Sequence, residues 1–221
     1  MEHARGRAPG PSWSKGEWGA PRSAFTLVEM MVVVAIILLL SAMLFPVFET
    51  AVGRAESLSC VSNMRNLGLA ARLYADDYDD VIVPAMLSDG NGKRVCWDAT
   101  IQAYVNNRGL LVCPTDEYPR ELPGVVCLPH SYGINLELAE VGGYAGSSLR
   151  LDHLDDPIGT VLFCELNGER YCTHGVRYAQ DGLARVATRR HGGGSNYAFA
   201  DGHAKWLRPE STESTELLWD P

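Results

Sequence analysis

Residues 25–48 read FTLVEMMVVVAIILLLSAMLFPVF. From Met30 to Phe45 the run has Ser41 as its one polar interruption. Adding Phe25–Val28 gives roughly the 20 apolar residues that a helix needs to cross a bilayer at about 1.5 Å per residue. One carboxylate, Glu29, lies inside this run. A charge near the apolar phase costs about 2.5 kcal/mol or more on insertion, so Glu29 asks for a functional explanation. On the N-terminal side, residues 1–24 hold Arg5, Arg7, Lys15 and Arg22 against Glu2 and Glu17. Positive charge just before an apolar helix holds that end in the cytoplasm, so the rest of the chain is expected outside it. An A-x-A-like cleavage site does not follow Phe48, so the helix should stay attached.

The chain of 221 residues carries 19 basic and 27 acidic side chains, and without residues 1–24 it would carry 15 and 25. That acidity argues against a nucleic-acid partner, which needs concentrated Lys and Arg. Cys60, Cys96, Cys113, Cys127, Cys164 and Cys172 in an exported domain point to disulfides. Spacing alone does not set their connectivity, and buried free thiols stay open as an alternative.

The string Ala24 followed by FTLVEMMVVVAI resembles the type IV prepilin signature. The resemblance implies cleavage by prepilin peptidase between Ala24 and Phe25, N-methylation of Phe25, and Glu29 as the family's assembly carboxylate. The family nearly always places Gly before the cut, and Ala24 keeps a small residue there. Pilin-like proteins also carry a proline in their long N-terminal helix, where Pro46 stands; proline removes a backbone donor, so a kink is expected.

Beyond Gly53, residues 55–78 read helical, with Leu58, Val61, Met64 or Arg65, Leu67 or Gly68, Ala71 and Tyr74 on one face. Asp76, Asp77, Asp79 and Asp80 then form a solvated helix exit. From Val81 the pattern changes to short β-like runs. Val81–Val83, Arg94–Trp97, Leu110–Cys113, Ser131–Leu136 and Thr160–Glu165 are expected strands, and Asp98 is expected to cap a short helix through Val105. Asn167-Gly168 signals a hairpin returning through Tyr171–Tyr178, which would bring Cys164 and Cys172 together as a candidate disulfide if a bulge corrects their register.

Residues 189–207, RRHGGGSNYAFADGHAKWL, read as a hairpin turned by Asp201-Gly202. Nine residues separate His191 from this pair, which resembles the H-x9-DG element of a large bacterial group of prepilin-processed proteins. Cys60-Val-Ser-Asn, Tyr74-Ala-Asp-Asp-Tyr, Cys113-Pro-Thr-Asp and Ser131-Tyr-Gly-Ile-Asn resemble the same group. His191 is expected to fix the turn structurally, bonding the backbone or Asp201. His191, Ser195 and Asp201 have the residue types of a hydrolase triad, but Ser195 lacks a nucleophile-elbow context. Cys113, Cys127 and His130 give a metal pattern short of a fourth ligand. Asp116 and Asp201 are weak Ca²⁺ candidates through the resemblance to pseudopilins, and no cofactor is otherwise expected.

The organisation expected is a leader (1–24), a transmembrane or filament-core helix (25–48), its amphipathic continuation (49–80) and a β-rich head (81–221). The fold class is α+β and pilin-like, with a long helix on a small antiparallel sheet. The function expected is a pilin- or pseudopilin-like structural subunit, not an enzyme, of a type II secretion or type IV pilus-like system. Its partners would be prepilin peptidase, copies of itself or other pseudopilins, an inner-membrane assembly platform and the membrane. The alternative is an exported surface protein that uses the same processing route and displays a binding head without forming filaments.

Overall fold

The computed structural model describes residues 25–88, 90–117, 124–140, 146–167, 175–176, 186–213 and 219. The chain forms two units, Met1–Pro46 and Val47–Pro221. Helix α1, Leu27–Asp77, is 51 residues long and runs through Pro46, where the two units divide. In the first unit the large apolar side chains from Phe25 to Phe45 are between 45% and 75% exposed. Fully burying a Val, Leu or Ile is worth about 1.5–3 kcal/mol, so this surface requires an apolar environment that its own unit does not supply.

In the second unit α1 buries Cys60, Met64, Leu67, Gly68, Ala71, Tyr74 and Ala75, a stripe at helical spacing. Leu58, expected on that stripe, is 71% exposed. Two residues span about 200° around a helix, so Leu58 and Cys60 cannot face the same core. The helix stops where Asp79 and Asp80 take φ of 53° and 62°, a left-handed exit that Asp tolerates. The Asp80 N–H returns to Ala75 O at 2.9 Å, and Tyr104 Oη–H donates to Asp77 Oδ2 at 2.7 Å.

Strands β1 (Met86–Ser88) and β2 (Arg94–Cys96) form an antiparallel hairpin around the Gly-Asn-rich turn. Two short helices follow, α2 (Trp97–Thr100) and α3 (Gln102–Val105), closed by Asn106 at φ 47°. Asp98 does not cap α2 but is buried inside its first turn. Its carboxylate accepts from Ala99 N–H at 2.8 Å and Leu128 N–H at 2.7 Å, and meets His130 Nδ1 at 3.0 Å. The loop that carries these partners is tied down by the Cys96–Cys127 disulfide. The strand expected at Leu110–Cys113 is instead a 3₁₀ turn, Arg108–Leu111, because the Asn107 side chain accepts from Gly109 N–H at 2.9 Å and curls the chain.

The main sheet contains β3 (Tyr132–Asn135), β4 (Val161–Glu165), β5 (Gly175–Val176), β6 (Ser195–Phe199) and β7 (Ala204–Leu207), in the order β5-β3-β4-β6-β7. Helix α4 (Leu136–Ala139) follows β3, and α5 (Pro209–Glu213) follows β7. All neighbours are antiparallel except β5, which lies parallel to β3. That corrects the expected return hairpin from β4 through Tyr171–Tyr178. Both edges of β4 are already taken by β3 and β6, so the described part of that segment pairs elsewhere. Cys164 is a free, buried thiol and Cys172 lies outside the described residues, so the expected Cys164–Cys172 bond is not among the described contacts.

The sheet is covered on both faces. Residues 198 and 199 point to opposite sides of β6. Ala198 joins the core made with α1, and Phe199 joins a second cluster with Tyr197, Val186 and Trp219. Trp219 is buried, and its carbonyl accepts from Asn135 Nδ2–H at 3.0 Å. The β6–β7 turn sets how closely α1 approaches. Gly202 has φ +94°, and a Cβ at Gly68 would lie 2.9 Å from Gly202 O and 3.1 Å from its Cα. Gly68 is therefore required by the backbone of Gly202, and Gly202 by its own positive φ.

Candidate functional site

Four buried side chains from distant parts of the second unit converge on one point. Cys60 comes from α1, Cys113 follows the 3₁₀ turn, Glu165 ends β4, and His191 opens the turn before β6. One ligand-capable atom of each lies within 4.8 Å of the others. Cys60 Sγ–H donates to Glu165 Oε1 at 2.7 Å, and the His191 Nε2 lies 2.9 Å from the same oxygen and 3.3 Å from Cys113 Sγ. Polar neighbours hold each group. Tyr132 Oη stands 3.1 Å from Cys60 Sγ, and Thr115 Oγ1 stands 3.1 Å from Cys113 Sγ. Ser195 Oγ–H donates to Glu165 Oε2 at 2.6 Å and Asn196 Nδ2–H to Oε1 at 3.1 Å.

A buried carboxylate without partners would cost several kcal/mol, and here four donors reach it. The His191 backbone is fixed by a two-glycine turn, with φ +61° at Gly192 and +89° at Gly193 and His191 N–H to Gly194 O at 2.8 Å. Trp206 Nε1–H then donates to His191 O at 2.9 Å. Against the cost of burial, the Cys113 thiol is brought down to about 5, first by its interaction with Cys60 and then by its contacts with His191 and Thr115. Burial opposes charge on His191, but its bonds to Cys113 and Glu165 prevail and raise it to about 9. Burial likewise opposes charge on Glu165, and His191, Cys60 and Ser195 hold it below the usual carboxylate range. Two thiols, an imidazole and a carboxylate are together a donor set for a thiophilic divalent cation.

The second feature is at the start of α1. Thr26 N–H and Thr26 Oγ1–H both donate to Glu29 Oε2, at 2.8 and 2.7 Å, while Glu29 N–H reaches Thr26 Oγ1 at 3.3 Å. This reciprocal pair is a capping box, T-x-x-E, directly before the apolar run. A family model described as the prokaryotic N-terminal methylation motif matches residues 20–45, which include this box and most of the apolar run. The chain carries a prepilin-type signal. No curated protein and no solved structure gives a significant match to the chain.

The prepilin signal accounts for the charge inside the apolar run and implies processing by prepilin peptidase. Together with the one helix among the described residues that is long and apolar enough to cross a membrane, it gives single-pass anchoring with the head outside the cytoplasm. Of the processing residues, Phe25 is exposed just ahead of α1, and Ala24 lies outside the described residues.

In the head, the expected bond from His191 to Asp201 is replaced by the bonds to Glu165 and Cys113. Asp201 instead pairs with His203, Oδ1 to Nδ1 at 2.6 Å. The triad types are thus not assembled, since Ser195 serves Glu165. Cys127 is bonded to Cys96 and cannot join Cys113 and His130 around a metal. The calcium candidates lie in separate contacts, Asp116 facing Arg190 at 3.4 Å and Asp201 on His203.

Sequence reasoning misses Glu165 and the convergence on it. Cys60, Cys113 and His191 stand in the quoted motifs, but no spacing links positions 60, 113, 165 and 191. The available signal is an acidic residue ending the otherwise apolar strand VLFCE.

Proposed function

We propose that this chain is the precursor of a pilin- or pseudopilin-like structural subunit. Prepilin peptidase cuts between Ala24 and Phe25, the new amine of Phe25 is methylated, and the mature helix enters a filament of a type II secretion or type IV pilus-like system. Copies of the chain or related subunits, with an inner-membrane assembly platform, are its partners. The observation that carries this reading is one carboxylate, held by a capping box, at the head of an apolar helix that its own unit leaves uncovered, all within the methylation motif.

The geometry supports a role for that carboxylate in register. Both Thr26 bonds fall on Oε2, which leaves Oε1 of Glu29 for a second partner. In a dry bundle of apolar helices an unpaired carboxylate costs several kcal/mol. The cation that every processed subunit offers is the amine of Phe25. Pairing the two fixes axial position, a well-attested use of buried charge.

The test is Glu29→Val expressed beside wild type. Removing the charge recovers about 2.5 kcal/mol or more of insertion cost and loses the two Thr26 bonds to the carboxylate, while the cap from Thr26 Oγ1 to the residue-29 N–H stays. The membrane fraction is therefore expected to be undiminished and the head folded, while sheared filament is lost. Filament at wild-type yield would contradict the register role and favour the display-protein alternative.

A further inference from the structure

We propose that Cys60, Cys113, Glu165 and His191 form a closed, structural Zn(II) site that ties α1 to the sheet. The proposal is independent of the N-terminal processing and assembly described above. Structural zinc is held by four protein ligands in a tetrahedron, chosen from Cys, His and carboxylate. This set supplies two sulfurs, one ring nitrogen and one carboxylate oxygen, all buried and all within 4.8 Å of one another.

The spacings fit an ion after a small expansion. Zn–S bonds near 2.3 Å and Zn–N and Zn–O bonds near 2.0–2.1 Å place tetrahedral ligand atoms roughly 3.3–3.8 Å apart. The contacts Cys60 Sγ–Glu165 Oε1, Glu165 Oε1–His191 Nε2 and His191 Nε2–Cys113 Sγ measure 2.7, 2.9 and 3.3 Å. Replacing shared protons by a cation opens these gaps by about 0.3–0.9 Å, which side-chain rotation can supply.

The surroundings are those of an organised metal centre, in which outer residues orient the ligands. Tyr132 and Thr115 reach the two sulfurs, and Ser195 and Asn196 hold the carboxylate. A cavity of about 650 Å³ has His191 in its wall, beside Thr115, Arg190 and Gly192. The competing chemistry is a Cys60–Cys113 disulfide, since the head is exported. A disulfide accounts for two of the four groups and leaves Glu165 and His191 buried without the sulfur partners they now have. A cation accounts for all four.

The experiment uses the full-length chain, purified in detergent without chelator and supplied with zinc chloride. Elemental analysis is expected to return about one zinc per chain, with loss of at least about tenfold in Cys60→Ser/Cys113→Ser and in His191→Ala. Tyr132→Phe, which keeps all four ligands, should weaken zinc about 10–100-fold in a chelator competition. Exchange with Co(II) should give the visible absorption of a tetrahedral thiolate complex. Because ligand variants can fail to fold, a second measurement uses wild type alone: stripping zinc should lower the melting temperature, with recovery on zinc but not on calcium. The proposal is overturned if folded wild type takes up no zinc, if the variants retain it, or if differential alkylation finds Cys60 and Cys113 joined.

Discussion

Replacing Gly68 by Ala tests how the helix is seated on the Asp201-Gly202 turn. In an exposed helix interior the change would stabilise by about 1 kcal/mol, because glycine costs backbone entropy. Gly53, on the same helix, is such a position, with nothing within 4 Å of where the added methyl would stand. At Gly68 the methyl carbon would stand 2.9 Å from Gly202 O, 3.1 Å from Gly202 Cα and 3.2 Å from Gly202 C, against 3.4–4 Å for ordinary contact. All three are backbone atoms of a turn held at φ +94°, so no flexible side chain can swing aside. Helix and turn must separate by roughly 0.5 Å, and overpacking of this kind costs about 1–3 kcal/mol. The steric cost wins over propensity. Gly68→Ala should lose up to about 2 kcal/mol while Gly53→Ala gains about 1. Urea unfolding in detergent, followed by fluorescence of buried Trp97, measures both. A Gly68→Ala chain as stable as Gly53→Ala would refute the contact.

Other outcomes follow from the head and the signal. Cys96→Ser/Cys127→Ser removes a cross-link across a separation of 31 residues. Loop entropy puts its loss at about 3–4 kcal/mol, read as a lower urea midpoint. Asp98→Ala strips Ala99 N–H, Leu128 N–H and His130 of a buried partner and should cost roughly 3–5 kcal/mol by the same assay. Ala24→Gly should speed processing in a pulse-chase and a bulky charged residue there should block it, the precursor band reporting both. An unchanged rate for both would contradict the assignment of that position.

The membrane helix, the hairpin at Asp201-Gly202 and the strands near 132 and 161 are legible because each is written locally, in an apolar run, a turn pair or an alternating stretch. Leu110–Cys113 departs from expectation because a single Asn107 side chain curls a stretch whose apolar content alone suggests a strand. The partner of β4 departs because strand order is a long-range property. Asn167-Gly168 favours a hairpin locally, but β3 and β6 already occupy both edges. The four-residue cluster is invisible in the sequence for the same reason: its members meet only after α1, two loops and the central strand pack together. The Thr26–Glu29 box, by contrast, is fully written in T-x-x-E directly before the apolar run.

The central claim is that residues 1–24 are a leader removed by prepilin peptidase, and the mass of the native N-terminus tests it most directly. Membrane material from the native cell, digested and sequenced by mass spectrometry, is predicted to give a terminal peptide beginning at Phe25 with one methyl group on its amine. An intact leader in that material, an N-terminus beyond Phe48, or an unmodified Phe25 amine would contradict the account.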